Sequence, residues 1–544
     1  MLKRAALAVL LLIASNAFAA TFTVTNSAAS GPGTLEQAIT DANASPGLDH
    51  IRFSVPTANV ALSMPAITDV IEIDGTTPTA LFDNKVTIQG TLLDCNRAFV
   101  LKTGSSGSSI RNVRLSDFCE GIRIDPSVTG VSVTTSVMST LITNGDDGVF
   151  RGDEIFLATL LGDRNQVLGS TIVTLRAFFA DDNRIGTATE GNNITVLQLQ
   201  SSAGTIVEGN TFNHQTPVVT PAAILVSNAL PPAATGSMIR QNAISNYSTG
   251  IIVYPGGGSI LPPTGITITQ NNTFSVPIPI DLGNDGPTPN DPAPDADLGA
   301  NRLQNFPVLT SAVIQPGGTT VSGTLSSAPL TTYRIEVFSN PPAPDTSAVF
   351  IGSFNVTTDA TGNAAFTNSV VGSPSADYFV SATATNLTTG DTSEVGAQVA
   401  ADAPGSLAFA LTSIIVDEAS GTATLTVNRF GGSEGTVTLA YATENGSATA
   451  PADFTATSGV LTFGPGVVTR DIVIPIVNDA LVEPAESFGV RISAPTGGAT
   501  IIGLTAATVT IASQLPTSSI PTMSQWALLA LALTVCGVAL LRMR

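Results

Sequence analysis

A recurring asparagine inside short β-type runs is the feature that most limits what this chain can fold into. The pattern apolar-x-x-Asn-x-apolar occurs at Val207-Glu208-Gly209-Asn210-Thr211-Phe212 and again at Ile239-Arg240-Gln241-Asn242-Ala243-Ile244. Weaker copies surround Asn183 and Asn272, and the four asparagines lie 27, 32 and 30 residues apart. Before and between them run segments such as Ile71-Glu72-Ile73, Val86-Thr87-Ile88, Ile122-Arg123-Ile124 and Ile251-Ile252-Val253, broken by Gly, Asn and Asp. Over residues 21–300 a helical period shows only near 35–42. Runs this short cannot bury an apolar face alone. Stacked coils of irregular length bury a continuous core and let inward asparagines hydrogen-bond along the stack. A β-sandwich also supplies such runs, but less readily the repeated Asn turn.

The start of this stretch supports the coil reading. Thr23-Val24-Thr25-Asn26, Ser30-Gly31-Pro32-Gly33-Thr34-Leu35, Gln37-Ala38-Ile39, Asp41-Ala42-Asn43 and Pro46-Gly47-Leu48-Asp49-His50-Ile51-Arg52-Phe53 follow in order, with Ile73-Asp74-Gly75-Thr76-Thr77 further on. This resembles the N-terminal cap of secreted bacterial right-handed parallel β-helix proteins, in which a short amphipathic helix covers the open end. That family is functionally mixed, so the resemblance implies an architecture and no particular activity. Cys95 and Cys119 are separated by about one coil, and adjacent strands lie ~4.8 Å apart, within reach of a disulfide. A disulfide and two buried thiols are both compatible with that spacing.

Residues 281–301 form a Pro/Asp-rich boundary, including Asp281, Asp285, Asp291, Asp295 and Asp297. Such a run reads either as a solvated linker or as a source of oxygen ligands for calcium. Residues 302–402 alternate at Tyr333/Ile335/Val337 and Tyr378/Val380/Ala382, as in an immunoglobulin-like sandwich. Residues 406–513 alternate at Ala423/Leu425/Val427, Val437/Leu439/Tyr441, Ile472/Ile474/Ile476, Phe488/Val490/Ile492 and Ala507/Val509/Ile511, which predicts a seven-strand sandwich. Within them Asp417-Glu418, Gly421-Thr422-Ala423, Tyr441-Ala442-Thr443, Asn445-Gly446-Ser447-Ala448, Asp453-Phe454, Leu461-Thr462-Phe463, Asn478-Asp479, Glu483 and Glu486-Ser487-Phe488 closely resemble a Calx-beta domain. The resemblance implies a Ca2+ site at one end of the sandwich. Carried over by position, its ligands are Glu418, Asp453, Asp479 and Glu483, with Glu486 a weaker candidate. The family's closing acidic triplet is replaced here by Ala512-Ser513-Gln514, which removes ligands and implies weaker binding. Without an ion, the same acids would serve only to cap turns and solvate the sandwich end.

Both chain ends carry membrane-type patterns. Lys3 and Arg4, an apolar core over residues 5–13 and Ala17-Phe18-Ala19 fit a secretory signal peptide. At the other end, residues 527–541 are apolar apart from Thr534 and are followed by Arg542 and Arg544. With Trp526, this segment would span roughly 24 Å as a helix, a little short of the ~30 Å hydrocarbon core. Snorkelling arginines and an interfacial Trp526 would make up the difference, with the chain end inside the cell. Preceded by Ile520-Pro521-Thr522-Met523-Ser524-Gln525-Trp526, it resembles the IPTL-CTERM sorting signal of Gram-negative bacteria, with Met523 where the family usually has Leu. The resemblance implies an exosortase-like membrane enzyme as partner.

The formal net charge of −20 argues against nucleic acid as a partner, since phosphate neutralisation needs clustered Lys and Arg. Catalytic constellations are thin: there are two histidines, His50 and His214, and no G-x-S-x-G or H-E-x-x-H motif. Asn144-Gly145-Asp146-Asp147-Gly148 faintly resembles the paired aspartates of polygalacturonase-type hydrolases, and Asp181-Asp182 is a second acidic pair. The Gly-His-Gly and Arg-x-Lys companions of those aspartates are missing.

The expected fold is therefore all-β: a right-handed parallel β-helix followed by two β-sandwich domains, with a C-terminal membrane-spanning helix. The expected divisions are a signal peptide (1–20), the capped β-helix (21–300), an immunoglobulin-like sandwich (301–403), a Calx-beta domain (404–514), a linker (515–519) and the sorting tail (520–544). The expected role is non-catalytic adhesion or envelope binding at the cell surface. The alternative is a surface-displayed polysaccharide hydrolase or lyase using Asp146 and Asp147.

Overall fold

The computed structural model describes residue 530 and residues 19–513, except 61–63, 78–83, 91–96, 119, 126, 135, 145–148, 215–221, 229–233, 257–260, 316, 376 and 480–481. Residues 1–18, Cys95, Cys119, Asp146, Asp147 and all of the expected sorting tail but Ala530 lie outside the described residues. Among the described residues, no helix is long and apolar enough to cross a membrane. Two compact units divide the chain, Met1–Asp402 and Ala403–Arg544.

In the first unit, every pairing within two long sheets of 11 and 15 strands is parallel, as a coiled stack requires. The 11-stranded sheet runs from Thr21–Val24 through Asp49–Phe53 and Ile71–Asp74 to Thr267–Thr269. Its inward position is occupied on successive coils by Ile51, Ile73, Ile110, Val133, Phe150, Val167, Ile185, Val207, Ile239 and Ile268. Each of these side chains is at most 3% exposed, so one apolar column runs the length of the stack. Burying such side chains stabilises by roughly 1.5–3 kcal/mol apiece before ordering costs.

A polar column stands at one corner. The Asn242 backbone N–H donates to Asn271 Oδ1 (3.0 Å), Asn210 to Asn242 Oδ1 (2.9 Å), Asn192 to Asn210 Oδ1 (2.9 Å) and Ser170 to Asn192 Oδ1 (2.9 Å). Asp153 and Ser136 continue it, through Asp153 N–H to Ser170 Oγ (3.2 Å) and Ser136 N–H to Asp153 Oδ1 (2.8 Å). Each Asn amide also donates to a carbonyl of the preceding coil, for example Asn210 Nδ2 to Ile185 O at 2.8 Å. The two clear sequence copies, Asn210 and Asn242, belong to this column and the two weaker ones do not. Asn183 stands in a separate corner, accepting from Asn165 N–H. Asn272 lies in the strand Asn272–Phe274, while its neighbour Asn271 turns inward. Separations along the column vary from 17 to 32 residues, because loops of different length leave the corner unchanged.

Both open ends of the stack are closed. At the start, the helix Leu35–Ala44 is capped by Thr34 and buries Leu35, Ala38, Ile39 and Ala42. At the other end, side chains from beyond residue 300 accept hydrogen bonds from the last coil. Gly265 N–H donates to Asp391 (2.6 Å), Ile266 to Asn301 (2.9 Å), Ile268 to Thr392 (3.0 Å), Gln270 to Glu336 (2.8 Å) and Leu282 to Glu394 (2.8 Å). The two ends of the segment 281–301 are therefore packed into this junction, while most of the residues between them are half-buried or exposed. Asp281 and Asn301 are buried, and Asp281 accepts from the N–H groups of Asn284, Asp285 and Gly286.

The closing module is a sandwich whose seven strands form one sheet. The layers Val349–Thr357, Thr332–Asn340, Phe379–Asn386 and Val308–Gln315, Gly318–Ser326, Asn363–Val370 are joined through Val399–Asp402, which pairs with both. Its core contains Tyr333, Ile335, Val337, Val380 and Ala382, as the alternation predicts, together with Ala384, while Tyr378 is only partly buried and stands outside it. Among the described residues, the second unit has its own core and nine strands, in sheets of four and five, where seven were expected. The difference comes from a split first strand (Ser406–Phe409, Ser413–Val416) and the two-residue strand Thr500–Ile501.

Asp153 gives the polar column a measurable signature. Burial pushes its carboxyl from 3.8 up to about 8, and Oδ2 has no hydrogen-bond partner. A raised folded-state pKa contributes stability that is complete below pH 3.8 and lost as pH rises through about 8. Asp153→Asn keeps the shape and removes the titration, and by register its amide faces the Val133 carbonyl. The variant should exceed the parent in stability by a margin that grows with pH over this window to on the order of a few kcal/mol. Chemical denaturation of both proteins at pH 5 and pH 9 checks this. A margin that does not depend on pH would remove Asp153 as the titrating group.

Candidate functional site

Three strands of the second unit end side by side. Val416 pairs with Ile511, and Ile511 pairs with Glu486, the first residue of the strand Glu486–Ser493. This register brings to one end the residues just after Val416, the residues just after Ile511, and Glu486 itself. Beneath them Phe454 stacks on Phe488, with ring centroids 4.0 Å apart and planes 14° from parallel. Asp453 precedes Phe454 and Glu486 lies two residues before Phe488, so the aromatic pair anchors both carboxylates from below. Asp453 is also locked by its own turn. Its backbone N–H donates to Thr449 O (3.0 Å), and Asp453 Oδ2 accepts from Thr449 N–H (2.6 Å).

The result is a cleft lined by Glu418, Asp453, Glu483, Glu486 and Ala512. One carboxylate oxygen each from Asp453, Glu483 and Glu486 lies within 4.8 Å of the other two. Glu418, 7% exposed, sits on the one-turn helix Glu418–Ser420 and accepts from the Asp479 N–H at 3.1 Å. The Glu483 carboxyl is raised, first by desolvation and then by the charges of Asp453, Asp479, Glu486 and Glu418. Carboxylates that repel one another like this favour a hard cation between them.

Of the four ligands carried over by position, the structure brings Asp453 and Glu483 into the cluster and places Glu418 on the same cleft. Asp479 stays outside the cluster: its side chain is exposed, and its backbone holds Glu418. Glu486, ranked last from sequence, is a full member. Its alternation with Phe488 and Val490 was the available signal, since it fixes which side of the strand faces the cleft. Of the departure at 512–514, Ala512 lines the cleft, and Gln514 lies outside the described residues.

The acidic pair Asp181-Asp182 does not converge on a cleft. Asp181 Oδ1 accepts from Ala203 N–H (2.7 Å), Asp181 N–H donates to Asp163 (2.7 Å), and Asp182 adopts a positive φ of 54°. These groups hold the corners of adjacent coils. His50 lies 3.4 Å from Glu72, which also pairs with Arg52 and Arg111 in a charged row across coils.

Residues 400–514 match the Calx-beta domain family. No curated protein matches the chain by sequence. Among solved structures, the apo-form Calx CBD1 domain is 30% identical, over 20% of this chain and 94% of that one, with a TM-score of 0.19. The Calx CBD2 domain is 25% identical, over 21% and 91%, with a TM-score of 0.20. The calcium binding domain CBD12 of CALX1.1 is 30% identical, over 19% of this chain and 44% of that one, with a TM-score of 0.19. Residues 400–514 are thus a Calx-beta domain near the C-terminus of the chain.

Proposed function

We propose that this chain is a non-catalytic exported surface protein that binds cell-envelope or extracellular ligands through its coiled stack and sandwich modules. In this reading the stack is a right-handed parallel β-helix, the hand that strand crossovers prefer. Its Calx-beta domain holds Ca2+, and its 520–544 tail crosses the membrane and is handled by an exosortase-like enzyme. The observation that carries the reading is the carboxylate cluster at the end of the Calx-beta domain. Asp453, Glu483 and Glu486 fit a hard cation by donor type and spacing. Their three carboxylates supply at most six oxygens and the Ala512 side chain supplies none, so Glu418, backbone carbonyls or water would complete a shell of up to eight. The bound ion would neutralise the cluster and tie the turn at Asp453 to the strand at Glu486. The non-catalytic part draws on Asp181 and Asp182, whose backbones, together with the Asp181 carboxylate, serve coil corners.

Residues 403–514, a compact unit with its own core, should melt higher in millimolar Ca2+ than in chelator. At a tenfold excess over Kd the gain is about 1.4 kcal/mol. Asp453→Ala or Glu486→Ala should erase the shift, Asp479→Ala should keep most of it, and Ala512→Asp should enlarge it. A melting temperature indifferent to Ca2+ in the parent would defeat the calcium part of the proposal.

The tail has its own test. A chain ending at residue 519 should appear in the medium, while the full chain stays with the cells. Equal retention of the two, measured by fractionation and immunoblot, would sink the sorting role.

A further inference from the structure

We propose that a groove on the outer face of the coiled stack binds an uncharged oligosaccharide; this rests on the surface-binding reading above and gives it a site. The groove encloses about 470 Å³ and is lined by Thr171, Asn193, Thr195, Thr211, Asn213 and His214, with Val173 at its side. A volume of this size lies within the usual range for ligand sites, roughly 300–1,000 Å³.

Register explains the groove's regularity. Thr171 pairs with Asn193 and Asn193 with Thr211, so three polar side chains stand in a row on successive coils. Their spacing is ~4.8 Å per coil, or roughly 10 Å from first to third. Beside them, one step beyond the inward Ile172, Ile194 and Phe212, a second row holds Val173, Thr195 and Asn213. The first row is exposed, and among the described residues none of its three side chains has a hydrogen-bond partner within the protein. The wall is held in place: Tyr247 donates to the Thr195 carbonyl, and its ring meets His214 edge to face at 5.8 Å. Asn213 is steadied by Asn246 Nδ2 at 2.9 Å.

The chemistry of this lining selects its ligand. Hydroxyl and amide groups both donate and accept, which matches the hydroxyl groups of a sugar. Among the described residues no Asp, Glu, Lys or Arg lines the groove, so a charged ligand would lose hydration without gaining a partner there. The chain's net charge of −20 further disfavours polyanions. A protein partner would need buried apolar or aromatic anchors, and Val173, 42% exposed, is the one exposed apolar side chain in the lining.

The test is calorimetric titration of the purified chain with neutral hexasaccharides (cello-, manno-, galacto- and malto-series) and with hexagalacturonate as the charged control. At least one neutral series should bind, and hexagalacturonate should not. The outward variant Thr171→Val/Asn193→Leu/Thr211→Val should keep the parent melting temperature and weaken binding at least tenfold. Asn193→Ala and His214→Ala, each alone, should weaken it several-fold and keep the proposal testable should the triple variant misfold. Unchanged affinity in these variants, preference for hexagalacturonate, or no binding to any neutral series would overturn the groove assignment. Unchanged affinity with intact binding would leave the surface-binding reading standing, since the ligand would then sit elsewhere on the chain. Failure of that broader reading would show instead as full-length chain that is not retained at the cell surface.

Discussion

An open end of a parallel stack exposes a row of backbone groups that want partners, and the first unit is organised around meeting that demand. Each coil pairs with the next, so only the two terminal coils leave polar groups and apolar core exposed together. At the start, one amphipathic helix covers the core. At the finish, Asp391, Asn301, Thr392, Glu336 and Glu394 supply acceptors to the last coil from residues beyond 300. An antiparallel bridge between Thr273 and Ala348 adds a backbone join. The sandwich is therefore a structural lid for the stack, and the two fold as one compact unit.

That closure has an electrostatic consequence. Three of the groups at the seam are carboxyls pushed upward chiefly by burial: Glu336, Glu394 to about 7 and Asp295 to about 6. Asp281 and Asp285 add to the shift at Glu394. Raised folded-state values mean that the contribution of Asp295 and Glu394 to stability is greatest at low pH and declines as pH passes through about 6 to 7. The hydrogen bonds that these groups accept from backbone N–H offset part of the cost of ionising them. Removing a carboxyl here would leave buried N–H groups unsatisfied, at about 1–3 kcal/mol each.

The second unit separates its load-carrying core from its chemistry. Stacked Phe454 and Phe488 are fully buried, while the carboxylates they anchor stand at the rim. Repulsion within that rim is tolerated because the sandwich below does not depend on it. The same economy of position appears on the stack, where inward Ile172, Ile194 and Phe212 form the core and their outward neighbours line the groove.

The alternation of apolar residues determined both sandwich cores directly, because strand period and burial follow from local chemistry. The cap motif likewise identified the buried face of the helix Leu35–Ala44. Asn210 and Asn242 were readable because each sits in a clear repeat, but the column's other members were not. Whether Asn271 or Asn272 points inward depends on how a coil turns its corner, which no short window encodes. In the same way Glu486 joins the carboxylate cluster and Asp479 does not, because strand register across distant segments decides which carboxylates meet. The anchoring of the Asp-rich segment was also invisible beforehand. Its ends, Asp281 and Asn301, are buried only because the open end of the stack and the sandwich meet there, while most of the residues between them stay half-buried or exposed.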